Sequence, residues 1–197
     1  KISIFLKKKF NKSKLVLQIK PNGTADAVLL AKKHIRNNNN VLILFGDVPL
    51  IKENSIKKLA RNFNSSKQIG AMLAFYAKNP FGYGRVETKG KKVIRVIEEF
   101  QANKKIKQIL LCNSGIMICN YNFLFSNIKR ISNKNIKKEK YITDLFEIAH
   151  QTNNHFSFSL SSEEELQGIN TRKELVKADE SMQNELKKKI MLNGATI

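Results

Sequence analysis

Sulfur chemistry, soft metals and membrane spans are the first things this chain is short of. It has two cysteines in 197 residues, Cys112 and Cys119. They lie seven apart in an apolar segment, and an odd spacing along a strand turns them to opposite faces, which argues against a mutual disulfide. Two cysteines alone are too few for a zinc site. Buried free thiols in a reducing cytoplasm are the expectation. No apolar run approaches the roughly 18 residues that span a bilayer. No signal-peptide pattern is expected here, since Lys7–Lys9 end the short apolar run Ile2–Leu6 at once and no small-residue cleavage site follows. His34, His150 and His155 are scattered without ligand spacing, and no nucleophile elbow or Ser–His–Asp order appears. No internal repeat is evident.

Acidic residues are scarce too, 16 against 36 basic ones, for a formal charge of +20. Such an excess suggests nucleic acid. Yet the lysines are spread thinly from Lys7 to Lys189 alongside abundant Asn and Ile, the signature of A/T-rich codons. The aromatics fall mostly in apolar segments instead of interleaving with the basic residues, as an RNA-binding surface would have them. A positive field would also favour a small anionic substrate.

What is present is one domain's worth of α/β alternation. Val41–Phe45 is an unbroken apolar run suited to a parallel strand buried on both faces. Gly46 then permits a sharp turn, Asp47 sets a carboxylate at the strand's carboxyl end, and Pro49 stops the strand. Leu15–Gln18 reads as a short strand, followed by turn chemistry at 20–23, with Thr24 placed to cap a helix reaching about Ile35. Asn37–Asn40 is a polar loop. A helix begins at Asn54 or Ser55, and Ile69–Tyr76 is another buried strand. A glycine-rich turn over 79–84 leads into a hairpin, Arg85–Thr88 and Val93–Glu98, closed at Lys89-Gly90-Lys91. Ile109–Cys119 is a long apolar segment interrupted by Asn113-Ser114-Gly115. Helices are expected over Tyr121–Ile131 and Tyr141–His150, a half-exposed strand over Phe156–Leu160, and a long charged helix over Arg172–Leu192 ended by Gly194.

Four polar residues stand in or just after apolar strands, close to glycine: Gln18, Asp47, Asn113 and Asn170. Any one of them is accounted for by loop hydrogen bonding. Four at strand ends point further, since in a parallel sheet such ends converge on one crevice. Asp47 with the amide oxygen of Asn170 suits a hard cation such as Mg²⁺, which takes one or two protein oxygens and completes its shell with phosphate and water.

The segments VLQIKPNGTADAV, VLILFGDVPLI, GYGRVE, VIRVIEEFQA, CNSGIMI, EKYITDLFEIA and LQGINTRKEL, in this order, resemble the uridylyltransferase domain of bacterial bifunctional N-acetylglucosamine-1-phosphate uridylyltransferase/glucosamine-1-phosphate acetyltransferases. The resemblance implies a Rossmann-like nucleotide-diphospho-sugar transferase fold, with a mostly parallel sheet, an inserted hairpin and a long C-terminal helical arm. It implies synthesis of UDP-N-acetylglucosamine and pyrophosphate from UTP and N-acetylglucosamine 1-phosphate, for cell-envelope precursors. Carried over, Gln18, Gly23 and Thr24 hold the uracil, with Gly46 beside the nucleotide. Asp47 and Asn170 act in catalysis as ligands of Mg²⁺. Gly84, Glu98 and Asn113 bind the N-acetylated sugar, with Tyr83 and Thr143 nearby. The resemblance divides the chain into a nucleotidyltransferase domain over 1–170, an arm over 171–193, and at 194–197 the lead into a left-handed β-helix acetyltransferase domain that forms a homotrimer in the intact protein.

Two departures stand out. The family's glycine-rich phosphate loop would lie N-terminal to Lys1, so the chain reads as a fragment inactive alone. Phe100 and Gln101 also stand where the family often has Lys and Asp. The alternatives are a nucleotidyltransferase for another base or sugar, a basic module binding nucleic acid, and a non-catalytic relative that keeps only the fold.

Overall fold

Strand-forming runs rich in Val, Ile, Phe and Met assemble into a six-stranded sheet in the computed structural model, which describes residues 2–37, 39–63 and 66–196. Asn38, inside the polar loop at 37–40, and Ile197, at the end of the tail, lie outside the described residues. In chain order the elements are α1 (Ile2–Lys9), α2 (Thr24–Ala31), β1 (Asn40–Ile43), α3 (Glu53–Asn62), β2 (Gly70–Tyr76), β3 (Arg85–Lys89), β4 (Lys92–Ile97), β5 (Leu111–Asn120), α4 (Tyr121–Asn127), α5 (Asp144–Gln151), β6 (Phe156–Leu160), α6 (Glu163–Leu166) and α7 (Arg172–Leu192).

The sheet order is β1-β5-β2-β6-β4-β3. β5 runs antiparallel to both β1 and β2, β6 runs parallel to β2, and β4 runs antiparallel to β6 and β3. Strands β1, β2, β3 and β6 therefore share one direction while β4 and β5 oppose it. The sheet is mixed: four strands point one way, yet their order in the sheet makes most ladders antiparallel and only β2–β6 parallel. β2 alternates faces: Met72 and Ala74 join one apolar layer, Ala71, Leu73 and Phe75 the other. Cys119 and Cys112 fall into those two layers respectively, both as buried free thiols.

Several local expectations change. Val41–Phe45 is a strand only to Ile43, and it is not buried on both faces: Leu42 and Leu44 are exposed. β1 lies at the sheet edge, laddered to β5 alone. Leu15–Gln18 forms no ladder, and Leu17 is exposed. An apolar run becomes a strand only where a neighbouring edge accepts its hydrogen bonds. Thr24 does not cap α2. Gly23 holds that position, with φ +112, while Thr24 Oγ1 accepts the Ile142 N–H at 2.9 Å. α3 begins at Glu53, after Lys52, whose N–H donates to Glu165 Oε1 at 2.8 Å. The helix expected over Tyr121–Ile131 is α only to Asn127 and then tightens into a 3-10 turn at Ile128–Arg130. The one expected over Tyr141–His150 begins at Asp144.

Candidate functional site

The site begins in a defect of β5. Against β2, Met117 pairs with Met72 but Asn113 pairs with Ala74, so β5 carries two extra residues over 114–116. Gly115 takes φ +79 there, and a Cβ on it would stand 2.7 Å from the Phe45 ring. Only glycine accepts both that backbone and that contact. The bulge turns Asn113 toward the sheet's end. Its Oδ1 accepts the Gly115 N–H at 2.9 Å, and its Nδ2, with no partner among the described residues, can donate outward. Its own N–H donates to the Gly84 carbonyl at 2.9 Å, fixing Gly84 beside it.

Gly84 ends a turn tied down from beneath. The buried Arg85 guanidinium donates to the Tyr83 carbonyl and pairs with Glu99 Oε2 at 2.7 Å. Glu99 Oε2 also accepts the Gly82 N–H at 3.2 Å. Tyr83 packs edge-on against Phe75, ring centroids 5.1 Å apart. Glu98 lies across from Gly84, where a Cβ would meet its Oε2 at 3.4 Å. Its Oε1 accepts the Thr143 hydroxyl at 3.0 Å. Oε2 therefore faces the opening with no hydrogen bond among the described residues. Burial pushes the Glu98 carboxyl above its ordinary range, against the opposing pull of the Thr143 hydroxyl and the Lys137 ammonium.

Asp47 enters from the turn after β1 and Asn170 from the turn before α7. The Ile169 N–H donates to the Asp47 carbonyl at 2.8 Å and binds the two turns together. A Cβ on Gly168 would stand 3.8 Å from both Asp47 Oδ2 and Asn170 Nδ2, so both side chains open on one space. A capping box fixes Asn170 from below. Thr171 Oγ1 accepts the Glu174 N–H at 3.2 Å, and Glu174 Oε2 accepts the N–H groups of Thr171 at 2.7 Å and Asn170 at 2.8 Å. That Asn170 N–H leads the contacts that hold the Glu174 carboxyl below its ordinary range. The pattern Thr171-x-x-Glu174 announces this cap in the sequence. Neither the Asp47 carboxylate nor the Asn170 carboxamide has a hydrogen-bond partner among the described residues, and their oxygen donors fit a hard divalent cation. No cluster of three or more His, Cys, Asp or Glu suited to a metal occurs among the described residues.

These groups meet in one cleft of about 430 Å³. Of the residues singled out from the sequence, Thr24, Asp47, Tyr83, Gly84, Glu98, Asn113, Thr143 and Asn170 line it. Gln18, Gly23 and Gly46 do not. Gln18 faces a separate recess beside α2 and donates from Nε2 to the Gly23 carbonyl at 3.1 Å. Gly23 abuts Lys140, whose carbonyl would stand 2.4 Å from a Cβ there, and Gly46 is open to solvent. Lys137, Tyr141 and Phe45 also line the cleft and were not foreseen as site residues. Burial, with Glu139 and Glu98 nearby, pushes the Tyr141 phenol up to about 12. Two grooves are larger, about 690 and 770 Å³, but neither is lined by a carboxylate. The convergence of acidic and amide groups, more than size, marks the 430 Å³ cleft as the candidate site.

Residues 5–164 match the family model described as nucleotidyl transferase. The bifunctional protein GlmU of Thermosipho melanesiensis is 36% identical over 183 residues, covering 93% of this chain and 40% of the relative. That of Buchnera aphidicola subsp. Acyrthosiphon pisum is 39% identical, covering 92% and 39%. The chain thus spans about 40% of the length of these curated relatives. Among solved structures, a putative glucose-1-phosphate thymidylyltransferase from Bacillus anthracis superposes with a TM-score of 0.66 at 20% identity, covering 90% of this chain and 69% of that one. A nucleoside-diphosphate-sugar pyrophosphorylase from Vibrio cholerae does so at 0.60 and 16%, covering 90% and 75%. At those identities the likeness concerns the fold, a mixed α/β sheet shared with sugar nucleotidyltransferases. With the family model covering most of its length, the chain belongs to the nucleotidyl transferase family.

Proposed function

We propose that the cleft is the uridylyltransferase site of a protein that makes UDP-N-acetylglucosamine and pyrophosphate from UTP and N-acetylglucosamine 1-phosphate. One observation carries this reading: Gly84, Glu98 and Asn113, the residues assigned to the sugar by resemblance, share one cleft with the nearby Tyr83 and Thr143 and with the Asp47–Asn170 pair. Glu98 Oε2 would accept from a sugar hydroxyl or from the acetamido N–H, and Asn113 Nδ2 would donate to a sugar oxygen. Thr24 would stand at the nucleotide end. Asp47 and Asn170 would hold Mg²⁺, and neutralisation of the phosphate charge is what the bound ion supplies. An oxygen of the sugar phosphate attacks the α-phosphorus of UTP, and the bond to the β-phosphate breaks to release pyrophosphate. That oxygen is already deprotonated at neutral pH, so the residues need only position and desolvate it. In the full-length protein, residues 1–170 would form this domain, 171–193 an arm, and 194–197 the approach to a trimeric acetyltransferase half.

Calorimetric titration of the chain with UDP-N-acetylglucosamine, UDP-glucose, dTDP-glucose and ADP-glucose, with and without Mg²⁺, tests the reading. The expected result is Mg²⁺-dependent binding that favours UDP-N-acetylglucosamine by roughly tenfold or more, because a rival ligand leaves polar groups of the site unpaired. Asp47→Ala should abolish the Mg²⁺ dependence. Equal affinity for all four ligands, or an Mg²⁺ effect that survives Asp47→Ala, refutes the assignment.

A further inference from the structure

The charged side chains among the described residues lining the cleft are Asp47, Glu98 and Lys137. A phosphate entering between two carboxylates is repelled by both unless a cation offsets them. Among the described residues Lys137 is the one cation on that lining, and the local structure positions it. It lies in a tight turn whose ends are bracketed by Asn135: Oδ1 accepts the Glu139 N–H at 3.1 Å, and Nδ2 donates to the Glu139 carbonyl. The Lys138 N–H donates to the Asn135 carbonyl at 3.0 Å, and Lys138 takes φ +53, a left-handed conformation that a lysine adopts only when its surroundings impose it. The Lys137 ammonium sits 4.8 Å from the centroid of the Phe100 ring, which in turn leans on Tyr141 at 6.0 Å. A cation over an aromatic face is held without being neutralised, so its charge stays available. Lys137 makes no ion pair among the described residues, although its field reaches Glu98.

Resting on the sugar-phosphate reading above, we propose that Lys137, seated on the Phe100 ring, is the cation that binds the phosphate of the anionic substrate in this cleft. Its role is positioning. It holds the phosphate between the sugar-facing groups Glu98 and Asn113 and the Asp47–Asn170 pair, and offsets the two carboxylates as the ligand enters.

The test titrates the chain, its Lys137→Gln variant and its Lys137→Arg variant with N-acetylglucosamine 1-phosphate, neutral N-acetylglucosamine and inorganic pyrophosphate. Lys137 is exposed, so neither replacement threatens the fold. Lys137→Gln should weaken N-acetylglucosamine 1-phosphate roughly tenfold, leave the neutral sugar unchanged and flatten the salt dependence of binding. Lys137→Arg, which keeps a cation able to stack on the ring, should restore affinity to within about twofold. Undiminished binding of the sugar phosphate by Lys137→Gln overturns the proposal and leaves the sugar reading standing. Loss of pyrophosphate binding in Lys137→Gln, with no sugar phosphate bound by any form, supports Lys137 as the phosphate cation and sinks the sugar reading. An unaltered chain that binds neither phosphorylated ligand overturns the proposal.

Discussion

At the entrance to α5, Asp144 carries a carboxyl that burial, with Glu147 and Glu98 beside it, pushes up to about 6. The folded protein therefore holds this proton more tightly than the unfolded chain, whose Asp titrates near ~3.9. Stability falls as pH rises from about 4 to about 6 and stays lower above that window. The helix N-terminus softens the penalty by favouring the anion. Asp144→Asn removes it. Since the side chain is only partly buried and solvent screens it, the gain should be about 1 kcal/mol at pH 7.5 and near zero at pH 4. Urea unfolding at the two pH values checks this, and an equal gain at both would place the cause outside the charge. The residue scale is also where the sequence was most and least legible. Asp47 and Asn113 stand out because glycine and an apolar strand frame them; Asn170 has the glycine but no strand, since it follows α6 in the turn that leads into α7. Lys137 reaches the same cleft from a polar stretch with no periodicity, and Tyr141 from the turn ahead of α5 where a helix start was expected; in both, chain conformation rather than pattern decides where the side chain ends up. Gln18 has the framing but not the strand, and it turns aside to its own loop.

Among the elements, the 79–84 turn depends most plainly on a partner far from it in sequence. Glu99 sits just beyond β4, yet it neutralises Arg85 and caps Gly82. The Arg85 Nε has no hydrogen-bond partner among the described residues, so the guanidinium leans all the more on Glu99. Lys107 approaches Glu99 from the other side at 3.4 Å. Glu99→Gln keeps the volume but leaves a buried guanidinium facing a neutral amide. It should cost about 2 kcal/mol and raise the exchange rate of the Gly82 amide well above that of β2. An unchanged Gly82 exchange rate would show that the ion pair does not fix this turn. The hairpin on either side was readable from Lys89-Gly90-Lys91, where Gly90 takes φ +60, and α7 from its length and capping pattern. The carboxylate under the turn was not, because nothing local distinguishes Glu99 from Glu98. The edge exposure of β1 was equally hidden, since its apolar run fits a central strand just as well.

Over the whole molecule, the +20 charge acts on stability and on binding in opposite directions. Six ion pairs form among the described residues, and of these Arg85–Glu99 is the most deeply buried. The remaining lysines repel one another across the surface, and folding concentrates that repulsion. The same field draws an anionic substrate toward a cleft whose own lining carries two carboxylates and one lysine. The Debye length shortens from about 30 Å at 0.01 M salt to about 10 Å at 0.1 M, so salt weakens both effects together. Raising KCl between those concentrations should therefore raise the urea midpoint while slowing the association of a phosphorylated ligand. Stopped-flow binding alongside equilibrium unfolding reads the two trends in one buffer series. A midpoint that fell with salt would mean that the few ion pairs outweigh the excess lysines, and an association rate indifferent to salt would mean that the surface charge does not guide substrate to the cleft.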